Sequence, residues 1–390
     1  MELPQELIDA IVDAIVAEGG LAQDPWMIDN SVDLLETLRS CALVAHAFVR
    51  PCQTYLFHGL ILTDNEGISP EALSAIFTAS PHLASYARAL YFEHRAVDAH
   101  LESILNILAS LTNLARIDIY PSTGDVSLWA TYPEPLRASF SAIFALPSIQ
   151  HITLCYLWFE DASELQTLLS ESTGLKTLGL CSVAFAALER GEGPKMPPAV
   201  SSPRVVLNSL QVYFLLAEHI EDIIQTFTTV DITRLRSLYL HNTPMKSLLK
   251  VAGPTIRDLK IRAYYSDIFL PETVDAVALE TVDATALAGA HLLRSLDLQL
   301  PFLQTLNKLV HLFGSLVHLA LLQTVNITVS QKTYPGPAEW LELDRLLGEL
   351  PALRDVHVYS GEPHEEALLR SWMPVLAGRD VLRIRPSVPD

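Results

Sequence analysis

The chain has 390 residues, of which half are apolar and 18% are charged, a composition typical of folded proteins with much buried surface. Its 45 acidic residues outnumber its 26 basic residues, which gives a formal net charge of −19. This charge argues against sequence-independent binding to nucleic acid and against binding to an anionic membrane, because both depend on clustered Lys and Arg.

The first predicted elements are three short helices within residues 1–57. Residues 3–16 predict a helix whose apolar face carries Leu7, Ile8, Ile11, Val12 and Ile15. A second helix is predicted from about Val32 to Phe48, and a third is predicted to start at Pro51 and to end near Phe57. Helices of this size bury little core, so we expect them to pack on the next segment, on a partner, or on both.

Two stretches of this module carry a family pattern. Residues 3–11 read LPQELIDAI, and residues 38–48 read LRSCALVAHAF. They resemble the F-box, and the stretch CALVAHAFVRPCQTYLFHGLIL is similar to the divergent F-box-like proteins of mushroom-forming fungi. The resemblance implies docking to a small Skp-type adaptor, and through it to a cullin. The implied contact residues are Leu3, Pro4, Leu7, Ile8, Ile11, Leu38, Val44 and Phe48.

Beyond residue 80, a pattern of three apolar residues spaced L-x-x-L-x-L returns about every thirty residues, a period typical of repeat proteins. The copies are Ala87/Leu90/Phe92, Leu114/Ile117/Ile119, Ile149/Ile152/Leu154, Leu175/Leu178/Leu180, Leu207/Leu210/Val212, Leu235/Leu238/Leu240, Ile256/Leu259/Ile261, Leu293/Leu296/Leu298, Leu316/Leu319/Leu321 and Leu353/Val356/Val358. The last two apolar positions of each copy suit a short strand with one buried face. One strand and one helix cannot close a core alone, so each unit must stack on its neighbours.

Segments with helical spacing lie between the copies, at 100–111, 162–171, 217–227 and 301–313. The phrases LRSLYL, LKTLGL and LRSLDL resemble the core of a leucine-rich repeat. The resemblance predicts an α/β fold in which residues 58–390 form an irregular solenoid, or horseshoe, of about ten units with a parallel concave sheet. The alternative is an ordinary α/β domain whose buried strands happen to repeat.

Residues between the apolar positions of each copy should point away from the core, because side chains alternate across a strand. They form a candidate surface for a target protein, on what would be the concave face: Tyr213, Tyr239, His241, Lys260, Arg262, Asp297, Gln299, Asp355, His357 and Tyr359. Arg116, Asp118 and Tyr120 are the corresponding residues of an earlier copy. Lys260 and Arg262 could receive an acidic or phosphorylated segment, or could pair with Asp258 and Asp297.

The sequence lacks the G-x-S-x-G, Walker A, H-E-x-x-H and post-strand G-x-G-x-x-G motifs, so we expect no enzymatic activity, no cofactor and no metal. Four scattered cysteines and a first fifteen residues without Lys or Arg favour the cytoplasm or nucleus over secretion.

The order of F-box and repeats resembles the substrate receptors of cullin-RING ubiquitin ligases. One alternative is a repeat scaffold without a ligase link, in which the first helices only cap the solenoid. Another is a hydrolase or transferase on an irregular α/β scaffold.

Overall fold

The chain has a mixed α/β structure with a large, mostly parallel sheet of twelve strands. The computed structural model describes residues 3–18, 32–63, 68–94, 97–121, 127–191, 205–215, 217–227, 230–241, 246–262, 287, 289–300, 310, 312–314, 319–329, 337–360 and 365–386. One compact unit comprises residues 1–160 and 167–175, and the other comprises residues 161–166 and 176–390. None of the helices in the described part of the chain is long and apolar enough to cross a membrane.

The first unit opens with three helices that share a small core. Their bounds are Gln5–Glu18 (α1), Val32–Val44 (α2) and His46–Leu56 (α3). Val12, Val16, Leu34, Leu38 and Cys52 form the core of this module, and Phe48 and Tyr55 pack against it. The hydroxyl of Tyr55 donates to the carboxylate of Asp13 over 2.7 Å and so ties α3 to α1. This bond is the largest cause of a rise in the pKa of Tyr55 to about 12.

The boundary predicted between the second and third helices is wrong. Helix α2 ends at Val44, and Pro51 lies inside α3 instead of starting it. A proline within a helix leaves the carbonyl four residues earlier without its usual donor. Here that carbonyl belongs to Ala47, and the side-chain amide of Gln5 donates to it over 3.2 Å. A side chain from α1 therefore compensates for the proline, which a local helix rule cannot anticipate.

The rest of the first unit alternates strands with helices. The elements are β1 (Gly59–Leu62), α4 (Pro70–Ala79), α5 (Pro81–Ala84), β2 (Ala89–His94), α6 (Val97–Ser110), β3 (Arg116–Pro121), β4 (Ser127–Leu128), a 3-10 turn (Trp129–Thr131), α7 (Glu134–Phe144), β5 (His151–Cys155) and β6 (Leu157–Phe159). Strands β1, β2, β3 and β5 pair in that order, all parallel. Helix α8 (Ala162–Ser170) has residues in both units.

The second unit continues the same alternation. Its elements are β7 (Thr177–Cys181), β8 (Ala184–Phe185), α9 (Ala186–Glu189), β9 (Val205–Val206), β10 (Ser209–Tyr213), α10 (Ala217–Thr226), β11 (Val230–Asp231), β12 (Ser237–His241), α11 (Lys246–Ala252), a 3-10 turn (Gly253–Thr255), β13 (Asp258–Arg262), β14 (Ser295–Leu300), β15 (Thr324–Val329), α12 (Pro337–Gly348), β16 (Asp355–Ser360), α13 (Glu365–Trp372), α14 (Pro374–Gly378) and β17 (Leu382–Pro386). Strands β7, β10 and β12 to β17 pair in parallel in chain order.

Nine of the ten predicted copies are confirmed as strands with buried apolar positions. In the second unit, for example, Leu210, Leu238, Leu259 and Leu296 are partners in successive strands, and all four are buried. The predicted helices at 100–111, 162–171 and 217–227 correspond to α6, α8 and α10. The helix predicted over 301–313 lies almost entirely outside the described residues.

The copy predicted at Leu316, Leu319 and Leu321 is wrong by six residues. Strand β15 starts at Thr324, and Val325 and Ile327 are the partners of Leu296 and Leu298 in β14. Both segments satisfy the L-x-x-L-x-L spacing, but the later one is rich in β-branched residues, which favour strands. Composition therefore decides the register where spacing alone is ambiguous.

One backbone hydrogen-bond pattern recurs where successive strands begin. A carbonyl just before one strand accepts two N–H groups from the next strand; the carbonyl of Arg257, for example, accepts from Arg294 at 2.7 Å and from Ser295 at 3.0 Å. We call the accepting residues the strand-entry column. Those in the first unit are His58, Arg88 and Ala115, and those in the second are Lys176, Asn208, Arg236, Arg257, Arg294 and Gln323. These bonds fix the distance between the backbones of successive repeat copies.

Candidate functional site

The residues expected to contact an adaptor divide into an exposed set and a buried set. Leu3, Leu7 and Ile11 are 55%, 52% and 41% exposed and follow each other at four-residue spacing along the start of the chain and α1. Pro4 is exposed, and Val44, at the end of α2, is 77% exposed. These side chains are accessible to a partner.

Ile8 and Leu38 are buried, Leu38 within the core of the helical module, and Phe48 is half-buried against that core. Neither Ile8 nor Leu38 is accessible to a partner in this structure. The apolar arc of α1 is wider than the strip that the core covers, so periodicity did not separate Ile8 from Leu7. Leu43, which the sequence did not single out, is the most exposed of these side chains at 88%.

The second candidate surface is the polar sheet face, which we define as the side of strands β10 and β12 to β16 that carries the ten predicted target-binding residues. All ten are half-buried. Tyr213, His241, Arg262 and Gln299 are successive partners along one row of this face. Tyr239, Lys260, Asp297 and His357 belong to the neighbouring row, with Asn326 between the last two. The predicted residues therefore share one face.

Tyr239 is the centre of an aromatic and cationic cluster on the polar sheet face. The ammonium of Lys260 and the guanidinium of Arg262 lie 5.5 and 5.7 Å from the centre of its ring, within the range of cation–π attraction. The ring of Tyr213 meets that of Tyr239 edge-on at 4.9 Å. Lys260 also pairs with Asp297 at 3.5 Å. Arg262 forms no ion pair with any residue that the structure describes.

The far end of the polar sheet face carries a neutral histidine. The rings of His357 and Tyr359 stack with their centres 6.3 Å apart. Burial is the largest cause that lowers the pKa of His357, and Arg385 and Arg383 lower it further, while Asp355 opposes them. His357 is therefore uncharged near pH 7 and can act there as a hydrogen-bonding or stacking group.

A polar cluster in the first unit joins strands β3 and β5. Asp118 is fully buried and accepts from the Nε of Arg116 over 2.7 Å. His151, the partner of Arg116 in β5, lies 3.7 Å from Asp118 and shares a 2.9 Å hydrogen bond with Thr153. Strand alternation identified Arg116 and Asp118, but not the two residues of β5. Each charge in this cluster has a partner, so its arrangement favours a structural role.

The histidine of this cluster should make stability depend on pH. Burial, and to a lesser extent the positive charge of Arg116, lower the pKa of His151 from its usual 6.5 to about 4. As the pH falls, the unfolded chain therefore takes up a proton on this histidine before the folded chain does. The contribution of neutral His151 to the free energy of unfolding is complete above pH 6.5 and is lost as the pH falls toward 4. We expect a loss of about 2 kcal/mol between pH 8 and pH 5, measured by urea unfolding.

The matched variant for this measurement is His151→Gln, which cannot titrate. The difference in unfolding free energy between pH 8 and pH 5 should be smaller in the variant by the amount assigned to His151. An identical pH dependence in both proteins would contradict the prediction.

In the described part of the chain, no group of three or more His, Cys, Asp and Glu residues is arranged to hold a metal ion. No protein-family model and no curated protein matches the chain. The proposal below therefore depends on the motifs of the chain and on the two surfaces described above.

Proposed function

We propose that the chain is a non-enzymatic substrate receptor of a Skp-cullin-F-box ubiquitin ligase. In this proposal the helices within residues 1–57 form an F-box-like module, and residues 58–390 form an irregular leucine-rich repeat solenoid whose concave side is the polar sheet face. The module binds a Skp-type adaptor, and the solenoid holds a target protein for ubiquitin transfer by other subunits.

The observation that carries the proposal is the set of exposed apolar side chains on the module. Leu7, Ile11, Leu43 and Val44 are all more than two-fifths exposed, although the module has a core of its own. Leu7 and Ile11 lie one turn apart on α1, and Leu43 and Val44 are the last two residues of α2. Large apolar side chains left exposed in this way are typical of protein-binding surfaces.

The polar sheet face supports the second half of the proposal. Tyr and Arg are favoured anchors of protein interfaces, and Tyr213, Tyr239 and Arg262 lie together on neighbouring strands of this face. Parallel strands held by repeated backbone bonds form a firm platform, so little conformational entropy is lost when a target binds.

The test measures binding of the full-length chain to the Skp-type adaptor of the same organism by calorimetry. The double variant Leu7→Asp with Ile11→Asp should bind at least about tenfold more weakly, because two carboxylates would enter an apolar contact. Both side chains are exposed in the free protein, so the fold should be unchanged.

The matched control is Leu341→Asp with Leu368→Asp, which changes two equally exposed leucines on α12 and α13. It should bind the adaptor as the unmodified chain does. The proposal fails if the unmodified chain does not bind, or if both double variants lose affinity equally.

A further inference from the structure

Four arginines lie at equivalent positions, each directly before a strand of the second unit. Arg236, Arg257 and Arg294 belong to the strand-entry column and precede the adjacent strands β12, β13 and β14. Arg354 precedes β16, and Gln323 occupies the same position before β15. All four arginines are exposed. We call these four residues the arginine row; it is separate from the polar sheet face.

The backbone of the arginine row is held in place by its own hydrogen bonds. The carbonyl of Arg236 accepts two N–H groups from Arg257 and Asp258, at 2.7 and 3.0 Å, and that of Arg294 accepts two from Gln323 and Thr324, at 2.8 and 3.0 Å. These bonds satisfy the main chain, so recognition at this edge must come from the side chains. Arg236, Arg257 and Arg294 follow each other at about one strand spacing, roughly 4.8 Å, and Arg354 lies two spacings beyond Arg294 because Gln323 stands between them.

The guanidinium groups of the arginine row have no acidic partner among the described residues. None of the four forms an ion pair or a side-chain hydrogen bond with a residue that the structure describes. Asp258 and Asp355 follow two of them in the chain, but by strand alternation their side chains belong to the polar sheet face, where Asp258 accepts from the hydroxyl of Ser237 at 3.3 Å. Like charges on adjacent strands repel each other, so the fold gains nothing from this arrangement.

We propose that the arginine row binds an extended acidic segment of a partner protein. From β12 to β16 the row crosses four strand spacings, about 19 Å, which an extended segment of roughly six residues would span. Guanidinium groups bind carboxylates and phosphorylated side chains in paired hydrogen bonds. A long polyanion such as nucleic acid fits less well, because the chain as a whole carries a net charge of −19. The proposal does not depend on adaptor binding.

The test uses the full-length chain without any adaptor and a fluorescein-labelled peptide of seven glutamates, with binding followed by fluorescence anisotropy. The peptide should bind at low ionic strength and weaken as salt is added. The variant Arg257→Glu with Arg294→Glu should bind at least about tenfold more weakly, because two attractive contacts become repulsive. If this variant does not fold, Arg257→Gln with Arg294→Gln and Arg354→Gln removes charge without reversing it, and should also weaken binding.

The control variant Arg39→Glu with Lys250→Glu changes the net charge by the same amount at two exposed helix positions, and its affinity for the peptide should match that of the unmodified chain. Equal losses in both double variants would attribute binding to net charge and overturn the proposal. It would also be overturned if the unmodified chain does not bind the peptide, or if a thymidine heptanucleotide displaces the peptide as readily as unlabelled heptaglutamate does. The adaptor assay remains independent of all these outcomes.

Discussion

Replacing Asp118 by Ala is expected to lower the free energy of unfolding by about 3 kcal/mol. The carboxylate is fully buried, and its partner Arg116 is only 28% exposed. Without Asp118, the guanidinium of Arg116 would lose its 2.7 Å partner, and water could replace only part of that interaction because the carboxylate's place is fully buried. Urea unfolding followed by circular dichroism at pH 7.5 measures the loss.

The matched control is Asp297→Ala. Asp297 lies between two buried residues of β14, just as Asp118 lies between two buried residues of β3, and it too pairs with a cation. Its side chain is 25% exposed and that of Lys260 is 39% exposed, so water replaces much of the lost attraction, and the expected cost is below about 1 kcal/mol. Equal effects at the two positions would contradict the importance of burial that this prediction assumes.

The difference between these two aspartates shows what the sequence could and could not predict. Both positions follow from alternation between buried apolar residues, so their place on the sheet was predictable. Their burial was not, because it depends on neighbours from other strands. His151 and Thr153 reach Asp118 from β5, and they lie 33 and 35 residues further along a chain whose repeats differ in length.

The same limit explains the other errors. Strand β17 was missed because Arg379 stands where other copies have an apolar first residue; its guanidinium instead donates to the carbonyls of Gly348 and Leu353. The start of α3 was misplaced because the compensation for Pro51 comes from Gln5, far away in sequence. Spacing thus predicts elements and faces, whereas contacts between distant elements decide burial, pairing and exact boundaries. The exposure of Leu7 and Ile11 likewise depends on such contacts and could not be predicted from spacing.

Gly174→Ala is expected to destabilise the first unit by about 3 kcal/mol, although Gly to Ala substitutions usually stabilise slightly by restricting the unfolded chain. A Cβ at this position would lie 2.5 Å from the carbonyl oxygen of Pro147 and 2.7 Å from that of Ile149. Both neighbours are backbone atoms just before β5, so they cannot move aside as a flexible side chain would. Equivalent positions in other repeats carry Arg234, Thr255 and Leu292, so the sequence pattern gave no sign of this requirement.

Gly378→Ala is the control for this prediction. A Cβ at Gly378 would meet nothing within 4 Å, and the residue lies at the end of helix α14, where Ala is the better helix former. We expect this variant to be stabilised by about 0.5 kcal/mol, so the same chemical change should have opposite signs at the two glycines. Urea unfolding of both variants under identical conditions measures the difference. A neutral or stabilising effect of Gly174→Ala would mean that the two backbone segments separate at little cost, and that their close approach does not contribute to holding β5 in position.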